Sequence, residues 1–205
     1  MASTTTQQHT PRTTETALDI AADVIRLLRT ASETVSVAES LTAGGVMAAL
    51  TSVPGASAVF RGGVVAYATP LKRTLLGVDA ALIEREGVVH GEVAVQMAVG
   101  ARRAAAVVAV VGGDGGDGGL EGKGEGEGLA TWGVGTTGVA GPGEQDGKAA
   151  GTVYIGIASP AGGRAFGPFM FPGSREHVRE ATVLEALARL REALLASAGD
   201  SGVSV

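Results

Sequence analysis

The case for chemistry in this chain starts at Ser40, which stands between a short apolar stretch and a run that predicts a helix. Residues 34–38 alternate as a strand does, and Glu39 to Gly45 then lead into an apolar helical pattern that reaches Leu50. A serine at such a junction would lie beside unpaired backbone N–H groups, which stabilise the oxyanion formed when a hydroxyl attacks a carbonyl. Position alone favours an ordinary helix cap.

A serine nucleophile needs a base, and lysine is the best candidate here. The chain has no cysteine, and its histidines are poorly placed: His9 lies in the terminal stretch, and His90 and His177 lie in polar stretches. A lysine activates serine when burial or nearby positive charge lowers its pKa toward neutrality. Lys72 follows Tyr67 by five residues, so the end of a strand could direct both into one cleft. From spacing alone they would be a surface lysine and a tyrosine at the core edge.

The elements that must position these residues alternate between helix and strand, which predicts an α/β layered domain. Thr69 is expected to cap one helix, with Pro70 in its first turn. Other helices are predicted over about 15–31, 91–106 and 174–197, and strands near 34–38, 60–67, 130–135, 151–158 and 164–171. Helical spacing predicts buried faces on the first and last helices, at Leu18, Ala21, Ile25 and Leu28 and at Val178, Ala181, Leu184, Leu187, Leu190 and Leu194.

Composition excludes several classes of function. The 16 Lys+Arg and 21 Asp+Glu give a net charge of −5 without a basic run, which argues against nucleic acid or anionic membrane as a partner. Zero cysteines and three histidines argue against a metal site. No secretory signal opens the chain, and no apolar run reaches the roughly 18 residues of a membrane span. We therefore expect a cytoplasmic protein whose partners are small molecules or other proteins.

Glycine is the compositional outlier, with 33 of 205 residues. Ten of these glycines lie in residues 112–128, among five acids and one lysine, with only Leu120 available for burial. Such a segment cannot repay the entropy of ordering it. We expect one domain over 15–198 that carries a flexible insertion at about 112–128, with a disordered N-terminal tail at 1–14 and a C-terminal tail at 199–205.

Three generic motifs do not support a cofactor or metal. Residues 133–138 fit the dinucleotide-binding pattern GxGxxG, but residues 139–143 do not start the helix that would hold a pyrophosphate. Gly147-Lys148 resembles the end of a P-loop but lacks the following Ser or Thr. His90-Gly91-Glu92 resembles the H-x-E of zinc deaminases, which also need cysteines that this chain lacks.

Three motifs, in order, resemble the CinA C-terminal domain family, the nicotinamide mononucleotide deamidases. They are VAESLTAGG with VVAYATPLK at 37–72, TTGVAGPG with its following GTV strand at 136–153, and FPGSREHVR at 171–179. The resemblance covers about 15–197 apart from the insertion. It implies a three-layer α/β/α fold around a mixed five-stranded sheet. It also implies hydrolysis of the carboxamide of nicotinamide mononucleotide to nicotinic acid mononucleotide and ammonia, without metal or cofactor.

The resemblance also implies roles for individual residues. Ser40 would be the nucleophile, with Tyr67 and Lys72 as its activating partners and a backbone N–H near the helix start as the oxyanion donor. Arg175 and the turn at 138–143 would suit a 5′-phosphate, because a guanidinium and exposed amides both bind phosphate oxygens. The full set expected around the substrate is Glu39, Thr42, Gly44, Thr137, Gly138, Gly141 and Arg175.

Three positions depart from the family pattern and leave alternatives open. Leu41 replaces a common cysteine, Ala43 replaces a glycine, and Thr69 replaces an asparagine. None removes a reacting group, so substrate preference is less secure than the amidase chemistry. The alternatives are a catalytically silent ligand-binding or competence-associated module, and an amidase for another nucleotide or small amide. The sequence does not decide between a monomer and a homo-oligomer.

Overall fold

The computed structural model describes residues 15–106 and 128–200. The predicted N-terminal tail, residues 112–127 of the predicted insertion and residues 201–205 lie outside these ranges. The elements in chain order are α1 (Ala17–Ala31), β1 (Val35–Glu39), α2 (Gly45–Thr51), a short 3₁₀ helix (Ala56–Ala58), β2 (Phe60–Val65), α3 (Thr69–Thr74), α4 (Ala80–Glu86), α5 (Gly91–Ala104), β3 (Trp132–Gly138), β4 (Thr152–Ser159), β5 (Gly162–Met170) and α6 (Arg175–Asp200).

The five strands form one mixed sheet in the order β2-β1-β3-β4-β5. Strand β1 is parallel to β2 and β3, whereas β4 is antiparallel to β3 and β5. Helix α5 packs on one face of the sheet, and α1, α2 and α6 form the layer on the other. This arrangement confirms the predicted three-layer α/β/α fold. Within the ranges described, no helix combines the length and the apolar character of a membrane span.

Helix α1 shows how local sequence and packing combine at the edge of the outer layer. Thr16 and Asp19 form a reciprocal capping box, which satisfies two amides that the helix start leaves unpaired. The buried side is formed by Ile20, Ala21, Val24, Ile25 and Leu28. The prediction that Leu18 belongs to this side is wrong: its side chain is 53% exposed, because it lies in the first turn, where that face reaches solvent.

Two further features differ from the sequence-based expectation. Thr69 does not cap α3, because Ala68 occupies the cap position without a side-chain hydrogen bond and Thr69 is the first helical residue. Helix α4 has no counterpart among the predicted helices. It is started by Asp79, whose carboxylate accepts from the amide of Ala81, and Leu82 is its one buried residue. Its apolar residues, Ala80 to Ile83, are consecutive and therefore give no helical periodicity.

Helix α5 lies very close to the sheet because glycines face it. A Cβ atom on Gly135 or on Gly156 would come within 2.2 Å of the Ala94 carbonyl oxygen, and one on Gly133 within 2.0 Å of the Ala98 carbonyl oxygen. Two glycines of the GxGxxG match therefore serve helix-to-sheet packing. The close approach fixes the height of β3, whose far end carries Thr136 and Thr137 to the site described below.

Replacing Gly135 by alanine should lower the free energy of unfolding by at least about 2 kcal/mol, because the added methyl group must displace the backbone of α5. For a chain of this size, the thermal midpoint should fall by roughly 4–8 °C. Gly143→Ala is the matched control, since a Cβ there meets nothing within 4 Å. Equal midpoints for the two variants in calorimetry would contradict the close packing.

Candidate active site

The candidate site is a cavity of about 240 Å³ where the carboxyl ends of β1, β2 and β3 meet. This edge of a parallel sheet is the usual place for a ligand. Seven of the predicted site residues line the cavity: Ser40, Tyr67, Lys72, Thr137, Gly138, Gly141 and Arg175. The other lining residues are Leu41, Val88, Val139, Ala140, Gly143, Glu144 and Gln145. Glu39, Thr42 and Gly44 do not line it.

Lys72 and Ser40 are in direct contact at the bottom of the cavity. The Nζ atom of Lys72 lies 3.0 Å from Ser40 Oγ and donates to the carbonyl oxygen of Ala66 at 2.8 Å. The lysine is only 1% exposed. It forms no ion pair with a carboxylate of the described residues, and burial lowers its pKa from 10.5 to about 8.

Ser40 and the carbonyl that accepts from Lys72 are both anchored to the ends of strands. The amide of Ser40 donates to the carbonyl of Thr136 at 3.1 Å, which ties Ser40 to β3. The amide of Ala66 donates to the carbonyl of Glu39 at 2.8 Å, which ties the acceptor of Lys72 to β1. Strand ends thus position Ser40 and the Ala66 carbonyl, and the amine of Lys72 reaches both from α3.

This pair has the geometry of a nucleophile and its base. A neutral amine has two N–H groups and one lone pair, and the Ala66 carbonyl accepts one N–H of Lys72. The lone pair can then accept the proton of the Ser40 hydroxyl. With a pKa near 8, about a tenth of the lysine is neutral at pH 7. In the described ranges, no group of three His, Asp or Glu side chains has the arrangement of a metal site.

The carboxylate of Glu39 is directed away from the cavity and caps α2. It is fully buried and accepts from the amides of Gly44, Val46 and Met47 at 2.8, 3.2 and 2.8 Å. Gly44 is the cap residue, and its φ of +97° is a conformation that favours glycine. A carboxylate at a helix start is also favoured by the helix dipole. Glu39 therefore holds the turn that follows Ser40 onto the first turn of α2.

The amides expected to bind an oxyanion at the start of α2 are already occupied by Glu39. Among the described residues, the amides of Leu41 and Thr42 have no hydrogen-bond acceptor, and Leu41 lines the cavity. Thr42 lies behind the wall, where its hydroxyl pairs with that of Thr136 at 2.8 Å and its carbonyl accepts from Arg179 at 3.1 Å. Of these two amides, that of Leu41 is nearer in sequence to Ser40 and belongs to a residue of the cavity lining.

Tyr67 and Arg175 form a second unit at the mouth of the cavity. Nη2 of Arg175 donates a short hydrogen bond to the Tyr67 hydroxyl, and Nη1 donates to the Gly141 carbonyl at 2.9 Å. Tyr67 is 53% exposed and makes no hydrogen bond to Lys72 or Ser40. The structure thus brings Tyr67 to the site but places its hydroxyl on Arg175.

The far wall is held by contacts that sequence reasoning missed. Thr137 Oγ1 donates to the Val88 carbonyl at 2.7 Å, and the Val88 amide donates to Asp146 at 2.9 Å. The amide and the carbonyl of Val88 are therefore both held by side chains of distant segments. Val88 and Asp146 are 58 residues apart, and neither stands in a motif that indicates the contact.

The chain matches the sequence model of one family and several proteins that carry the name of that family. The sequence model of the CinA C-terminal domain matches residues 17–129 and 127–194. The CinA-like protein of Thermosynechococcus vestitus is 41% identical over 179 residues, which cover 86% of this chain and 38% of that protein. The CinA-like protein of Frankia casuarinae is 40% identical over 171 residues, which cover 83% and 34%. The chain thus spans somewhat over a third of the length of these curated relatives.

Solved structures share the fold over nearly their whole length. The competence/damage inducible protein CihA of Agrobacterium tumefaciens is 29% identical, with a TM-score of 0.72 and coverage of 90% of this chain and 99% of that one. The competence damage-inducible protein A of Klebsiella pneumoniae is 27% identical, with a TM-score of 0.72 and coverage of 88% and 98%.

Replacing Lys72 by methionine should stabilise the fold at neutral pH while removing the amine. The folded-state pKa of about 8 lies below the unfolded value of 10.5, so the unfolded chain binds more protons between these values and stability rises with pH through that window. Below pH 8 the buried charge costs the native protein up to about 3 kcal/mol, which Lys72→Met should partly recover.

The measurement is chemical denaturation of both proteins at pH 7 and pH 10. The advantage of Lys72→Met should shrink by about 2 kcal/mol between the two pH values. An advantage that does not change with pH would show that Lys72 has an ordinary pKa. Lys148→Met serves as the control, because Lys148 is partly exposed and away from Ser40.

Proposed function

The chain belongs to the CinA C-terminal domain family, and from this premise we propose that it is an amidohydrolase that deamidates nicotinamide mononucleotide. The products are nicotinic acid mononucleotide and ammonia. Ser40 is the nucleophile and Lys72 its base. One observation carries the proposal: a buried lysine without a carboxylate partner among the described residues lies 3.0 Å from a serine hydroxyl at the bottom of a cavity.

The reaction follows from the protons that this pair can hold. Neutral Lys72 accepts the Ser40 proton as Oγ forms a bond to the carboxamide carbon, and the Leu41 amide faces the developing oxyanion. Protonated Lys72 then delivers that proton to the departing nitrogen, so the C–N bond breaks and ammonia leaves. Water attacks the acyl-enzyme with Lys72 again as base, which releases the acid and restores the Ser40 hydroxyl. None of these steps needs a metal.

The mouth of the cavity supports a phosphate group on the substrate. A guanidinium has five N–H donors, and Arg175 uses two of them on Tyr67 and Gly141. The amides of Ala140, Gly141 and Gly143 donate to no acceptor in the described residues. Free amides next to a positioned arginine bind phosphate oxygens well. In this proposal Tyr67 orients Arg175 and does not relay the Ser40 proton.

The cavity has room for a small ligand. Its volume of about 240 Å³ is close to the lower end of the roughly 300–1,000 Å³ that ligand pockets usually span. An amidase for another small amide is the alternative, and Leu41 is the family departure that lines the cavity.

Ser40→Ala should abolish turnover of nicotinamide mononucleotide while the protein stays folded, because loss of a small hydroxyl near a helix start costs only about 0.5–2 kcal/mol. The assay measures ammonia and nicotinic acid mononucleotide with purified protein. Lys72→Ala should be nearly as severe, and Lys148→Ala is the matched lysine control. Substantial turnover by Ser40→Ala would refute the mechanism. Absence of turnover in the wild type would favour the silent ligand-binding module.

Arg175→Ala should weaken turnover of the mononucleotide about ten- to a hundredfold, because a charge-assisted hydrogen bond to phosphate contributes roughly 1.5–3 kcal/mol. Turnover of nicotinamide riboside, which lacks the phosphate, should be poor in the wild type and nearly unchanged in the variant. The measurement is kcat/KM for both substrates. Equal losses on the two would place Arg175 in structural support and would move the phosphate elsewhere.

A further inference from the structure

Glu144 is the one acidic side chain among the described residues that line the cavity. It is exposed, and it makes no hydrogen bond or ion pair with the described residues. We infer that Glu144 is a specificity residue that accepts hydrogen bonds from the two vicinal hydroxyls of the substrate's ribose. This inference rests on the proposed function, because it concerns the same cavity and the same substrate.

The turn that carries Glu144 is braced on both sides of the cavity wall. Gln145 and Lys148 exchange two backbone hydrogen bonds, of 3.0 and 2.9 Å. Asp146 accepts from the Val88 amide at 2.9 Å and packs so closely on Gly87 that a Cβ there would lie 2.7 Å from it. Neither contact uses the Glu144 side chain. The backbone of Glu144 is therefore fixed while its carboxylate stays available.

The positive Arg175 and the negative Glu144 favour different parts of a ligand in the cavity. Arg175 donates to the Gly141 carbonyl, only three residues before Glu144, and yet the guanidinium and the Glu144 carboxylate form no ion pair. Because a phosphate is repelled by a carboxylate, it belongs to Arg175 and the free amides of Ala140 and Gly141, rather than to that of Gly143 beside Glu144. The uncharged, hydroxyl-bearing part of a mononucleotide is left for Glu144.

A carboxylate is chemically suited to that part. When ionised it only accepts hydrogen bonds, and its two oxygens can each take one O–H donor of a vicinal diol. The same pairing of an acidic side chain with ribose hydroxyls recurs in dinucleotide-binding folds. The alternative role of Glu144 is an ion pair with the positive charge of an oxidised nicotinamide ring. That role requires a charged ring and does not depend on the ribose hydroxyls.

The experiment compares nicotinamide mononucleotide with its 2′,3′-dideoxy analogue on the wild type and on Glu144→Gln. An amide replaces the carboxylate at nearly the same volume, so the fold is retained. We expect KM for the mononucleotide to rise about tenfold, with kcat changed little and with no effect on the dideoxy analogue. Glu84→Gln is the matched control, because Glu84 is an exposed acid on α4 away from the cavity. Equal losses on both substrates would overturn the inference.

A second comparison distinguishes ribose recognition from an ion pair with the nicotinamide ring. Binding of the reduced mononucleotide, whose ring is uncharged, should weaken in Glu144→Gln as much as binding of the oxidised form. A loss confined to the oxidised form would mean an ion pair with the ring and would overturn the inference.

Calorimetry measures recognition without turnover when the mononucleotide and its dideoxy analogue are bound to Ser40→Ala, with and without Glu144→Gln. It separates the inference about Glu144 from the proposed reaction. If the wild type does not turn over the mononucleotide but the ribose hydroxyls strengthen binding through Glu144, the proposed reaction is refuted and the role of Glu144 is supported. If the mononucleotide and its dideoxy analogue bind equally well, only the role of Glu144 is refuted.

Discussion

Burial of the Lys72 amine without a counter-ion is the constraint on which the rest of the site depends. A charged ammonium removed from water is costly, and a nearby carboxylate would remove that cost by raising the pKa and holding the proton. The structure offers Lys72 a backbone carbonyl and a serine hydroxyl instead. Desolvation alone therefore lowers its pKa, and the sequence could not choose between this cause and a neighbouring cation.

The other buried charge near Ser40 shows how this constraint is met. Glu39 directly precedes Ser40, and an ion pair between Glu39 and Lys72 would hold the proton on the amine. The alternation of β1 turns the Glu39 side chain to the opposite side of the sheet from Ser40, where three amides of α2 donate to it. The start of α2 thus satisfies the Glu39 carboxylate with hydrogen bonds and orders the turn that holds Ser40. Burial of the lysine and capping of α2 are two parts of one arrangement.

The sequence predicted the contact between Ser40 and Lys72 better than the placement of the residues around it. These two residues could be paired because a strand-to-helix junction and a scarcity of other bases leave few choices, and the structure places their side chains 3.0 Å apart. Glu39, Thr42 and Gly44 were placed at the substrate because they adjoin the nucleophile, but in the structure they lie outside the cavity lining. Contacts such as Asp146 with Val88 join segments whose approach depends on the packed α5, on which no local pattern reports.

The side chains at the mouth of the cavity differ in exposure and charge from those at its bottom. Lys72 is 1% exposed and burial lowers its pKa to about 8, whereas Tyr67 is 53% exposed and hydrogen-bonded to the guanidinium of Arg175. A substitution at the mouth can therefore change the groups that meet solvent without changing the burial that lowers the pKa of Lys72. Of the departures from the family pattern, Ala43 and Thr69 are exposed and away from the cavity, and Leu41 lines it. Leu41 also follows Ser40 directly, and its amide has no acceptor among the described residues, so a departure from the family pattern and a free backbone donor coincide at one residue of the cavity lining.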